Sequence, residues 1–116
     1  MKSVAFENGM NCFFSDLEEE ILEQLWKNKT GHSKSLHEAL KNKHEVSHIT
    51  VAVTLNRLHE RGMLARKPQK TRGGTRYIYT PKYSREAFGN HLSGKFLSFL
   101  RKSFGENCVA NLKKRL

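Results

Sequence analysis

What this chain lacks narrows it first. It has two cysteines, Cys12 and Cys108, far apart and in no Cys-x-x-Cys or Cys-x-Cys pair. Neither a disulfide framework nor a thiolate metal cage is indicated, and a reducing cytoplasm fits. No apolar run approaches the ~20 residues needed to cross a bilayer, and the N-terminus has no continuous apolar segment of signal-peptide length, so the chain reads as soluble, cytoplasmic and without a membrane partner. No Ser or Cys stands in a nucleophile motif, and enzyme chemistry is not expected.

Acid is also scarce, and unevenly so. The 116 residues carry a net charge of +10; residues 1–45 hold 6 Lys/Arg against 8 Asp/Glu, whereas the remainder hold 15 against 3. Nearly all the positive excess therefore lies after Glu45, which argues for a polyanionic partner. The length suits one domain with an appended association element.

The stretch Ser47 to Gly62 (SHITVAVTLNRLHERG) organises the rest. At helical period Val51, Leu55 and Leu58 form one stripe and Ile49, Ala52, Val53, Asn56 and Arg57 lie opposite, so one face is core and the other free. Ser47 suits an N-cap and Gly62 a left-handed position after the helix end. Upstream, Ser15 and Glu18 form a capping box with Phe14 as staple, and Leu17, Ile21, Leu22, Leu25 and Trp26 give an apolar stripe. Asp16, Glu18, Glu19 and Glu20 then read as a solvated, dipole-matched helix start. Ser33 to roughly Lys43 forms a short second helix with Leu36, Ala39 and Leu40 inward, and the turn before Ser47 makes a helix-turn-helix. Met1 to Cys12 shows no usable period and is expected to be a poorly ordered tail.

Beyond Gly62, Leu64 to Lys67 and Arg76 to Thr80 read as strands around a Gly73-Gly74 tip, with Pro81 ending the second. The intervening KPQKTRGGTR has four Lys/Arg and no acid. A helix followed by a basic hairpin is how a winged helix-turn-helix grips DNA. From Ser84 onward Phe88, Leu92, Phe96, Leu100 and Phe104 recur every four residues, Leu97 and Phe99 widen that face, and Val109, Leu112 and Leu116 mark a last short helix after Gly105. Gly89 and Gly94 weaken the long helix by roughly 1 kcal/mol each relative to Ala. Such a helix needs packing, and the same segment of a second subunit is the expected partner. The expected fold class is mainly α with a small β-hairpin: a tail (1–13), a winged helix-turn-helix (14–82) and C-terminal dimerisation helices (83–116).

Recognition helices read the major groove from their N-terminal turns, which singles out Ser47, His48, Ile49, Thr50, Ala52 and Val53. Ile49 and Val53 suit the thymine methyl group, against the plainer reading of isolated surface residues. Asn56 suits adenine or a phosphate equally. Arg57 divides between a phosphate and an intramolecular ion pair. In the hairpin, Lys67, Lys70, Arg72 and Arg76 lack counter-charges and are assigned to phosphates or the minor groove. Tyr77 and Tyr79 read as core-facing rather than as base-stacking platforms. His44 and His48 are four apart, as helical zinc ligands are, but the turn at Val46-Ser47 separates them and no tetrahedral set is completed, so no metal or other cofactor is expected.

The segments FSDLEEEILEQLW, TVAVTLNRLHERGMLARK and YIYTPKYSREAF resemble the penicillinase-repressor family, which includes the methicillin-resistance and copper-transport repressors. The resemblance, from Phe14 to about Leu112, implies a homodimer on a palindromic double-stranded DNA operator, one winged helix per half-site, joined by C-terminal helices. Copper-responsive members end in paired Cys-x-Cys motifs, which this tail lacks. Antibiotic-responsive members are cut by a membrane sensor protease at an Asn-Phe bond, for which the nearest counterpart here is Asn111-Leu112. Two other readings remain at this point: a winged helix serving as a protein-interaction module, and a metal- or ligand-responsive regulator.

Overall fold

The computed structural model describes residues 14–116, which divide into two compact units, one ending at Lys82 and the other running from Tyr83 to Leu116. The N-terminal tail expected over 1–13 lies outside the described residues. The first unit contains α1 (Asp16–Asn28), α2 (Ser33–Leu40), α3 (His48–Glu60), β1 (Leu64–Thr71) and β2 (Gly74–Pro81); the second contains α4 (Arg85–Phe104) and α5 (Glu106–Arg115).

Each helix of the first unit starts where a side chain satisfies orphan backbone donors. Ser15 Oγ accepts from the Glu18 N–H at 3.2 Å, and Glu18 Oε1 accepts from the Ser15 N–H at 2.9 Å, completing the capping box. The cap of α2 is His32 rather than a hydroxyl residue: its Nδ1 accepts from the Ser35 N–H at 3.2 Å, and Ser35 Oγ accepts from the His32 N–H at 3.0 Å. Ser47 Oγ accepts from the Thr50 N–H at 3.1 Å and starts α3. That helix ends as its sequence requires. Gly62 takes φ +81° while its N–H reaches the His59 carbonyl and the Met63 N–H reaches Leu58, a Schellman closure that also buries Met63.

Apolar burial holds the unit together. Phe14, Ile21, Leu22, Leu25, Leu36, Leu40, Val51, Leu55, Leu58, Leu64 and Tyr79 are all buried, from all three helices and both strands. Each fully buried side chain of this size contributes about 1.5–3 kcal/mol relative to exposure. Ala39, expected inward, is exposed, because α2 stops at Leu40 and its short buried face needs only Leu36 and Leu40.

The strands are longer than the sequence pattern indicates. They pair antiparallel from Leu64 with Pro81 out to Thr71 with Gly74, so the two turn residues are Arg72 and Gly73 instead of Gly73 and Gly74. Gly74 has φ +134°, a value an L side chain rarely adopts, and this lets the ladder begin directly after the turn. On its other edge β2 is bridged by Gly31, whose N–H and carbonyl exchange hydrogen bonds with Tyr79 at 3.1 and 2.7 Å. A Cβ on Gly31 would stand 3.2 Å from Leu25 Cδ2, which explains a small residue between α1 and the sheet.

The acidic start of α1 is not uniformly solvated. Glu18 is buried and its Oε2 accepts from Arg61 Nη1 at 2.9 Å, tying the first turn of α1 to the end of α3. Arg61 also lies 4.7 Å from the Phe14 ring centroid. Burial raises the Glu18 pKa, but hydrogen bonds from Ser15 and the charge and hydrogen bond of Arg61 outweigh it and leave the carboxyl below its ordinary value.

In the second unit Ser84 Oγ accepts from the Ala87 N–H to start α4, and Gly105 at φ +90° separates α4 from α5. Phe88 and Val109 are buried; Leu92, Leu97, Leu100 and Leu112 are partly so. Among the described residues no helix is long and apolar enough to cross a membrane.

Leu55→Ala should cost about 2–5 kcal/mol in urea unfolding, because Leu55 is wholly buried, whereas Ile49→Ala at a surface position should stay within about 0.5 kcal/mol. Comparable losses at the two sites would contradict the assigned faces. Glu18 makes a second prediction. A carboxyl whose folded pKa is depressed adds stability above its unfolded value that disappears as pH falls through the folded value. The stability gap between the wild type and Glu18→Gln should therefore be constant near neutrality and narrow as pH drops below about 4.5.

Candidate nucleic-acid interface

Packing of Val51, Leu55 and Leu58 inward turns the opposite face of α3 outward. Ile49 is 73% exposed and Val53 51%, while Ser47, His48, Thr50 and Arg57 are also exposed and Ala52 and Asn56 are partly covered. The outward face thus begins with a contiguous apolar and hydroxyl surface one turn long. Two large aliphatic side chains at that exposure gain nothing within the chain, and their position on the first two turns is where a groove-inserted helix presents its reading residues.

The elbow between α2 and α3 is braced. The His48 ring nitrogen Nε2 lies 2.9 Å from Ser33 Oγ, and His37 Nε2–H donates to the Val46 carbonyl at 2.9 Å. Their rings meet edge to face at 6.0 Å. His48 is therefore engaged with α2.

The hairpin presents its cations in three directions. Alternation puts Lys67 and Arg76 on one face, Lys70 on the face shared with Leu64, Arg66, Tyr77 and Tyr79, and Arg72 in the turn. All four are exposed. Arg76 Nε donates to Gln69 Oε1 at 2.7 Å, a neutral partner that orients the guanidinium without cancelling its charge. No carboxylate among the described residues forms an ion pair with Arg57, Lys67, Lys70, Arg72 or Arg76. Tyr79 is buried as expected, but Tyr77 is 43% exposed, because it lies further from the hairpin base than the helical core reaches. Arg66 covers it instead, its guanidinium carbon 4.2 Å from the ring centroid.

Two residues near the hairpin carry no local sequence signal of what they meet. His32 lies near Arg76, Lys34 and His48; burial lowers its pKa first, and the charges of Arg76 and Lys34 lower it further, which favours the neutral imidazole. The start of α2 thus shares the positive field of the hairpin, a consequence of the Gly31 bridge that no local pattern announces. Arg66 is the other: its alternation with Leu64 marks an inward strand position, and only the tertiary fold shows what it meets. Its Nη1 donates to Asn56 Oδ1 at 2.7 Å.

In the second unit Phe96, Phe99 and Phe104 are 40%, 54% and 66% exposed, with Phe99 between its neighbours at 6.4 and 6.0 Å between ring centroids. Phe88 and Val109 are already buried, so the expected association stripe separates into an internal part and an exposed phenylalanine cluster.

A three-helix unit whose third helix turns an uncommitted face beside an acid-free hairpin is the architecture of winged-helix transcription regulators, and solved structures with the same fold bear this out. A possible transcriptional regulator from Methanosarcina mazei matches with a TM-score of 0.64 at 21% identity, over 93% of this chain and 86% of that one. Diamide-treated YodB from B. subtilis matches at 0.51 and 14% identity, over 91% and 98% of the two chains. A PadR family regulator from Clostridium difficile matches at 0.50 and 14% identity, over 76% and 96%. No curated protein matches. The sequence profile described as penicillinase repressor covers residues 14–116. The chain belongs to the penicillinase-repressor family and is a transcriptional regulator of winged-helix type.

If Arg76 and His32 share one positive field, Arg76→Ala should move the His32 imidazole titration upward, measured by NMR, while burial keeps it below the ordinary value of 6.5. An unmoved titration would separate the hairpin from the start of α2.

Proposed function

We propose that this protein is a dimeric repressor that binds a two-fold symmetric operator in double-stranded DNA. The observation that carries the reading is the exposed first two turns of α3, with Ile49 73% and Val53 51% open, beside hairpin cations that have no acidic partner among the described residues. Ser47, His48, Ile49, Thr50, Ala52 and Val53 enter the major groove, where the aliphatic pair meets thymine methyl groups and the hydroxyls meet base edges or phosphates. Arg57, Lys67, Lys70, Arg72 and Arg76 contact phosphates and displace condensed counterions, which supplies affinity without sequence information.

The second unit supports the dimer. Three neighbouring exposed phenylalanines, Phe96, Phe99 and Phe104, are an association surface of a kind monomers rarely leave open, and a two-fold partner would cover them with the same patch. Leu92, Leu97, Leu100 and Leu112 border it. Two recognition helices then read half-sites about one helical turn, roughly 34–36 Å, apart or a multiple of it. Release of repression by a sensor protease acting near Asn111-Leu112 is part of the same proposal; both residues lie within α5.

Helix and hairpin substitutions should differ in kind. Arg72→Ala with Arg76→Ala should weaken operator and random DNA alike and reduce the slope of log K against log salt by about 0.9 for each phosphate that is no longer neutralised. Thr50→Ala or Val53→Ser should lower operator affinity by about 1–3 kcal/mol with little effect on random DNA or the slope. Titrations of both duplexes at several salt concentrations separate the two patterns. Reversed behaviour would exchange the roles, and indifference of both DNAs to either set would refute the DNA-contact surface. Phe96→Asp with Leu100→Asp should yield folded monomers by sedimentation, because charge is not tolerated in an apolar interface.

A further inference from the structure

Asn56 lies on the outward face of α3, where a side-chain amide is the natural reader of adenine. Bidentate recognition of adenine uses the amide oxygen as acceptor and the amide nitrogen as donor at once. In this structure both are engaged. Asn56 Oδ1 accepts from Arg66 Nη1 at 2.7 Å, and Asn56 Nδ2 donates to Glu60 Oε1 at 3.2 Å. The Arg66 guanidinium in turn lies 4.2 Å from the centroid of the Tyr77 ring. One planar cation therefore links the middle of α3, through β1, to β2.

We propose that Asn56, Arg66 and Tyr77 form a strut that sets the hairpin against the recognition helix, and that Asn56 is consequently a positioning residue instead of a base reader. The chemistry suits that task. The base of the hairpin is anchored by buried Leu64 and Tyr79 and by the Gly31 bridge, but Tyr77 lies beyond this anchorage and is 43% exposed. A guanidinium can stack on the ring and direct an N–H fork at an amide in the same plane, whereas an ammonium can do only one of these well. Its hydrogen-bond partner is neutral, so the strut keeps its positive charge on the DNA-facing side of the molecule. Glu60, four residues after Asn56, fixes the other end of the amide.

The inference rests on the DNA-binding reading for its functional meaning, since a fixed hairpin angle matters when helix and hairpin must meet groove and phosphates together. It sharpens that reading: base discrimination resides in Ile49, Thr50 and Val53, and no adenine is read through Asn56.

The test compares Asn56→Ala, Arg66→Gln, Arg66→Lys and the Asn56→Ala/Arg66→Gln double variant in two measurements. In the free protein, amide hydrogen exchange over 67–78 should accelerate by about tenfold in each single variant, the effect expected from removing one charge-assisted hydrogen bond, and by no more in the double. Arg66→Lys should resemble Arg66→Gln. On duplexes selected by the wild-type protein from a random-sequence pool, all variants should lose affinity, Arg66→Gln and the double variant more because they also remove a positive charge, while their ranking of single-base operator changes stays that of the wild type. The strut is overturned if hairpin exchange is unchanged, if the two substitutions multiply in the double variant, if Arg66→Lys keeps the wild-type behaviour, or if Asn56→Ala alone abolishes discrimination at one base pair. If the wild type enriches no sequence from the pool, the operator-binding reading fails, and the exchange measurement still decides whether the strut exists.

Discussion

Burial of the Val51, Leu55 and Leu58 stripe is the constraint on which the remaining architecture depends. These side chains are fully excluded from solvent, and at 3.6 residues per turn their inward orientation leaves Ile49, Val53 and Arg57 no choice but to face outward. A helix rotated by one position would bury a cation and expose a leucine, at a cost of several kcal/mol. The outward face of α3 is thus fixed by the core behind it. The same constraint reaches the hairpin, because the Schellman closure at Gly62 delivers the chain from the end of α3 directly into buried Met63 and Leu64.

Electrostatics divide the first unit by function. Acidic groups concentrate on α1, where Glu18 neutralises Arg61 and Glu20 pairs with Lys43. Cations of the hairpin meet neutral partners instead: Arg76 with Gln69, Arg66 with Asn56 and Tyr77. Neutral partners orient a guanidinium yet leave its field intact for a polyanion. Burial is the main cause of the depressed His32 pKa, and the nearby Arg76 charge adds to it.

Local signals in the sequence are sufficient for much of this. The capping box at Ser15, the Ser47 cap, the Gly62 stop and the α3 stripe follow from hydrogen-bond chemistry and periodicity that act over a few residues, and each stands in the structure as expected. The family and the winged-helix class are also legible, from motifs in α1, α3 and the hairpin exit. What cannot be read depends on distant parts of the chain meeting. Strand length is underestimated because Pro68, Gln69 and Lys70 have poor strand propensity and are held by cross-strand pairing alone. Alternation assigns Tyr77 to the core, but alternation gives a face and not how far along it the core extends. Ala39, the Glu18–Arg61 pair and the Arg66–Asn56 bond are likewise tertiary facts, the last two joining residues 43 and 10 positions apart.

Whether the first turns of α3 and the hairpin together form the DNA-contact surface is tested most directly by amide chemical-shift mapping of the labelled protein with a duplex selected from a random pool. The largest changes should fall over His48 to Val53 and over Lys70 to Arg76, with the acidic first turns of α1 unaffected. Changes confined to α1 or to the second unit, or scattered evenly over the surface, would contradict a shared helix-and-hairpin surface.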